Sequence, residues 1–213
     1  MTLGKPRDHG QAFPIYVVVV AGLLFAALAF FVIGQASVTR SDAQGAADAA
    51  ALAAGREARD GVFLDLDLAA LKPDDWTKIL AGKFLKAKGA CAAAEAFAAK
   101  NAATAECNPD VPRFTVTVRT DRTVGESVIP GTEGMHGTAM ATALIEAQCV
   151  LGAVVAAPSA TPTEPAGGAS PAPSPSSPAV TFSCHGDPVR LDPLKPGSLR
   201  ELSRKLFSVR LVG

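Results

Sequence analysis

The chain has 213 residues, 20 Lys+Arg against 20 Asp+Glu, 48% hydrophobic residues and only 19% charged ones. Length allows one or two domains, and zero formal charge gives no electrostatic case for a nucleic-acid partner. The apolar content excludes a chain that is disordered throughout.

The apolar residues are concentrated near the N-terminus. No Asp, Glu, Lys or Arg occurs from His9 to Thr39, and Ile15 to Ile33 is an unbroken apolar run of 19 residues. At ~1.5 Å rise per residue it spans roughly 28 Å, close to the ~30 Å of a bilayer core. Backbone amides in lipid must bond internally, so the run reads as a helix over 14–34. Pro14 suits the first turn, and Phe13 and Tyr16 suit an interface. Lys5 and Arg7 precede the run against Asp8, and Arg40 is the first charge after it. The positive-inside rule then places residues 1–13 in the cytoplasm and everything beyond residue 40 outside. Three fates are open for this segment. A retained single-span anchor is preferred, because 19 residues exceed the ~7–15 of a signal-peptide core. Cleavage after Ala36 would give a secreted chain. Cleavage between Gly10 and Gln11 would be processing of the prepilin kind.

From Gln35 to about residue 60 the chain is rich in alanine and free of proline, so the membrane helix should continue as one rod. Val38, Gly45 and Leu52 recur every seven residues and share a stripe. Gly45, Ala46 and Ala49 would let another backbone approach closely. The rod either lies on its own domain or packs against other rods. Gly61 and the following VFLDLDL end the pattern.

The stretch from Gly10 through GQAFPIYVVVVAGLLFAALAFFVIGQ to QGAADAAALAAG resembles the N-terminus of TadE/TadG-like proteins of Flp (type IVc) pilus assembly. That family shows a Gly before a hydrophobic helix, then a segment close to the Gln44–Ala54 string. The resemblance covers about the first 55 residues. It implies a membrane-anchored structural component whose partners are the bilayer and either other Tad/Flp assembly proteins or itself. No G-x-S-x-G or H-E-x-x-H motif occurs, so no cofactor and no catalytic role are expected. Pilin-like members carry Glu at the fifth position after the Gly, where Ile15 stands here. Longer TadG proteins carry a D-x-S-x-S metal site, and no such motif occurs here.

Beyond residue 60 an α+β domain is expected over 61–155 and 180–213. Pro73-Asp74-Asp75 reads as a helix start with Asp74 as N-cap. Trp76, Ile79, Leu80, Phe84 and Ala87 follow helical spacing to a stop at Gly89. Lys78, Lys83, Lys86 and Lys88 read as a solvated face, with anionic lipid as the lesser option. A second helix, Ala92 to Ala103, has Phe97 as its large side chain. Phe114, Val116 and Val118 alternate with polar residues as a half-buried strand, and Thr123 to Ile129 is another candidate. Gly131 to Thr138 reads as a loop. Met140 to Val150 is strand or helix, with strand preferred. Residues 156–179 hold seven prolines and one charge, Glu164, and should form an extended, mobile insertion. Val180–Cys184, Ser198–Leu206 and Phe207–Leu211 read as strand, helix and strand.

Cys91, Cys107, Cys149 and Cys184 all follow the membrane run, so an oxidising location suggests two disulfides. Of three possible pairings, Cys91–Cys107 with Cys149–Cys184 is preferred. No C-x₂-C pair supports zinc, and His136 with His185 is a loose set. Asp65, Asp67, Asp74 and Asp75 read as loop and cap residues. The readings in contention are a structural assembly component, a secreted or membrane-tethered cell-surface binding module, and, least favoured, an enzyme.

Overall fold

The computed structural model describes residues 12–123, 134–152 and 179–213. Gly10, Gln11, most of the Thr123–Ile129 candidate strand and all of the proline-rich stretch except Ala179 lie outside them. Among the described residues the fold is α+β, with an N-terminal apolar helix, antiparallel sheets and two disulfides.

Helix α1, Ala12–Asp60, is one continuous rod of 49 residues. Its first half is bare: Phe13, Phe25 and Phe30 are each about three-quarters exposed. Its second half buries alanines in i, i+3, i+4 order: Ala43, Ala46, Ala47, Ala50, Ala51, Ala54 and Ala58. Helix propensity holds both halves, but among the described residues only the second half has a tertiary partner. That partner is the four-stranded sheet β1-β2-β3-β7, formed by β1 (Ala103–Asp110), β2 (Arg113–Thr123), β3 (His136–Ala147) and β7 (Phe207–Val212). Phe114, Val116 and Val118 of β2 and Ala141, Ala143 and Ile145 of β3 line the face beneath α1.

Two glycines set how closely helix and sheet approach. A Cβ on Gly137 of β3 would lie 2.6 Å from the Thr39 carbonyl oxygen of α1. One on Gly55 of α1 would lie 2.7 Å from Cγ1 of Val209 in β7. The rod is therefore pinned to the sheet near both ends of its buried half.

Helix α2 spans Pro73–Leu80, shorter than the sequence suggests. Its N-cap is Lys72, not Asp74, with Pro73 in the first turn; the Lys72 amide donates to Asp75 Oδ2 at 3.2 Å. It ends at Gly82, not Gly89. Gly82 adopts φ 75°, its amide bonds the Ile79 carbonyl at 2.8 Å, and the Lys83 amide bonds the Lys78 carbonyl at 3.0 Å. These two bonds close a Schellman motif and satisfy the last carbonyls. Gly89, also left-handed at φ 78°, instead caps the start of α3, Ala90–Lys100. Ala90, Ala94 and Ala98 bury one face of α3 within the shared core, and α3 packs along α1. Ala103 belongs to β1, a strand the sequence reading lacks, rather than to that helix.

The Met140–Val150 segment is extended but divides. β3 runs to Ala147, and Gln148 separates it from β4, Cys149–Leu151. His136 starts β3 and so lies in a strand, not a loop. A three-stranded sheet joins β4 to β5 (Val180–Cys184) and β6 (Asp187–Leu191), the latter also absent from the sequence reading. Trp76 stands 5.5 Å from the Phe182 ring, edge-on, and 6.3 Å from Phe63. These aromatics join the small sheet to α2 in the common core. Helix α4, Leu199–Leu206, starts at Ser198, whose Oγ accepts from the Glu201 amide.

Candidate helix-packing surface

The second half of α1 has two kinds of surface. Ala46, one of the three small residues set aside for a partner, is 1% exposed against the chain's own sheet and core. That face lies on its own domain. Val38 is 60% exposed, Gly45 is exposed, and Ala49 and Leu52 are half-buried. A Cβ on Gly45 would meet nothing within 4 Å. A mid-helix Gly costs about 1 kcal/mol relative to Ala. Nothing in the described fold offsets that cost, since no backbone or side chain closes on Gly45.

The membrane candidate is explicit. Phe13–Phe31 is long and apolar enough to cross a bilayer, and none of it is buried by the rest of the chain. Together with the rod it forms an uninterrupted helix from the apolar span into the folded domain.

Asp60 terminates the rod and gathers cations. Its carboxylate lies 2.7 Å from Arg59, 3.2 Å from Arg204 and 3.5 Å from Arg200. A carboxylate at a helix C-terminus is unfavourable by itself, and the two arginines of α4 counter it. No pattern in the sequence announced this link, because its partners are about 140 residues apart.

The cysteines tie elements around this frame. Cys91 of α3 joins Cys107 of β1, and Cys149 of β4 joins Cys184 of β5, its register partner. The acidic residues of the 65–75 segment serve local ends. Asp65 pairs with Lys86 at 2.8 Å, Asp67 accepts from the Ala69 amide, and Asp75 holds Lys72 and Lys78. The Lys86 hydrogen bond holds the Asp65 carboxyl below its usual range, and the Lys72 backbone hydrogen bond does the same for Asp75. Among the described residues no group of three or more His, Cys, Asp and Glu could hold a metal ion.

His136 and His185 do not meet. His136 is bonded through Nδ1 to the Thr120 carbonyl at the start of β3. His185 sits in the β5–β6 turn, beside an open cleft lined by Glu146, Gln148 and Phe207 near the other end of β3. Ten residues of strand separate those ends, roughly 33 Å.

Residues 10–57 match the model of the Tad family, described as Flp pilus-assembly TadE/G-like. This segment is TadE/TadG-like. The match covers the membrane candidate and nearly all of the rod, and it stops before the disulfide-tied domain. No curated protein and no solved structure matches the chain.

Proposed function

We propose that the protein is a membrane-anchored structural component of Flp/Tad-type pilus assembly. The TadE/G-like match over residues 10–57 supports a role in that process, and the N-terminal apolar helix supports a single-pass membrane protein. In this reading the N-terminus is cytoplasmic, as Lys5 and Arg7 favour, and the disulfide-tied domain is outside. The work is done by packing, without catalysis. The stripe of Val38, Gly45, Ala49 and Leu52 meets a second helix, from another assembly protein or another copy. One observation carries the proposal: Gly45 is open to solvent in the middle of a rod whose opposite face is already covered.

The test replaces Gly45 and Ala49 with Leu in cells that build the pilus, with a photo-cross-linker at position 38. Loss of the cross-linked partner, with the protein still in the membrane at normal amounts, is the expected result. An unchanged cross-linking pattern would falsify the packing surface.

A further inference from the structure

We infer that the helix seated on the open side of the rod belongs to a different chain, one with basic side chains at the level of Asp42 and Asp48 and an acidic one at the level of Arg56. The inference rests on the packing surface proposed above and names its occupant. At about 100° per residue, Asp42 and Asp48, three residues before and after Gly45, stand roughly 60° to either side of it. Arg56 follows Gly45 by eleven residues, about three turns, so it lies on the stripe itself, roughly 16 Å further along the rod. Asp42 and Arg56 are exposed, and Asp48 is half-buried. None of these charges has an ion-pair partner among the described residues. Asp48 accepts from the neutral Gln44 side chain at 2.8 Å.

The neighbouring charges leave this pattern in place. Arg40 precedes buried Ala58 by eighteen residues, about five whole turns, so it shares that alanine's direction, away from the stripe. Arg59, Arg200 and Arg204 are gathered on Asp60. Arg122 lines the cleft beside Asp42, and Lys100 lies over the Phe97 ring at 4.7 Å. Both stand off the rod, on the Asp42 side. A helix on the open side therefore meets acids around Gly45 and a base beyond it.

A second copy does not match this face. Two copies that cross one bilayer through the same apolar run stand parallel and at one height. A two-fold axis along the rods then turns the Asp42 flank of each toward the Asp48 flank of the other. Carboxylates from both copies gather around the Gly45 crossing, and Arg56 faces its own equivalent. At exposed sites a like pair opposes association, and an opposite pair favours it, by about twofold each. Three pairs changed from opposed to matched separate the two occupants by on the order of fiftyfold.

The test expresses two differently tagged copies of the full chain in cells that build the pilus, with a photo-cross-linker at position 38. The expected product holds one tag and a second chain, identified by mass spectrometry, whose cross-linked helix has Lys or Arg on both flanks of the crossing. Asp42→Lys and Asp48→Lys with Arg56→Glu should cut its yield at least ~tenfold. The neutral set Asp42→Asn, Asp48→Asn and Arg56→Gln should cut it less. Reversing the charges of the captured helix should restore the product with the reversed rod. A wild-type product that holds both tags overturns the different-chain assignment and leaves the packing surface standing. A one-tag product whose yield ignores both charge sets overturns the charge argument and with it the proposal. No product at position 38, with the protein in the membrane at normal amounts, overturns the packing surface and this inference together.

Discussion

Gly137 and Gly45 are the same residue type in opposite situations. At Gly137 an added methyl would meet a backbone carbonyl at 2.6 Å, so helix and strand must separate. Overpacking of this kind costs about 1–3 kcal/mol. At Gly45 the methyl enters open space, and helix propensity favours it by up to ~1 kcal/mol. Thermal unfolding of the full chain in detergent should therefore fall for Gly137→Ala and hold or rise for Gly45→Ala. Equal losses would mean that the rod's two faces are not distinct. Neither outcome was legible from sequence, where both residues are simply glycines in ordinary surroundings.

The Glu146–Arg210 pair belongs to the same scale. Two hydrogen bonds, 2.6 and 2.9 Å, tie β3 to the last strand, β7. The Arg210 hydrogen bond, with its charge, holds the Glu146 carboxyl below its ordinary value. A depressed carboxylate stabilises the fold above the unfolded-state pKa, and the contribution is lost as pH falls through the folded one. The protection of the β7 amides, measured relative to intrinsic exchange at each pH, should thus fall on acidification below about pH 4.3, the ordinary Glu value. Glu146→Gln should show no such step at β7. Both side chains are largely solvent-exposed, so the effect will be small and salt-sensitive.

At the scale of elements, the alternating strands and the terminal helix-strand pair follow from local pattern. Phe114, Val116 and Val118 alternate cleanly, and Ser198 announces α4 with its side chain. β1 has no strand signature in sequence, because ATAECNPD has little β-branching, ends in Pro and Asp, and follows an alanine run. Its extended state comes from pairing with β2 and from the tie to α3 through Cys107. The apolar spacing of α2 continues past Gly82, although the helix does not. The Schellman closure is stronger than that spacing.

The disulfides give an element-scale expectation. The Cys91–Cys107 link spans 16 residues and the Cys149–Cys184 link spans 35. Chain entropy assigns them about 3 and about 4 kcal/mol. Replacing each pair by Ala should lower unfolding stability in that order, measured by denaturant titration in detergent. The reverse order would show that strain or residual structure, not loop closure, dominates.

For the whole molecule, the rod is the organising feature. One helix runs from the apolar span through the core without a linker. The TadE/G-like segment thus contains both the membrane candidate and the alanine face on which the sheet is built.

The sequence by itself determined the apolar span, the continuous helix beyond it and the alternation of the central strand. Each is a local property of composition and period. The resemblance of the N-terminal segment was also legible, because its string of small residues is contiguous. Only the tertiary structure decided which small residues face the chain's own sheet and which stay open. A helix periodicity names faces but not their neighbours. Alanine and glycine carry no polarity to tell those faces apart. The position of the sheet along the rod was likewise decided by contacts between distant residues, such as Gly137 against Thr39, 98 apart in sequence.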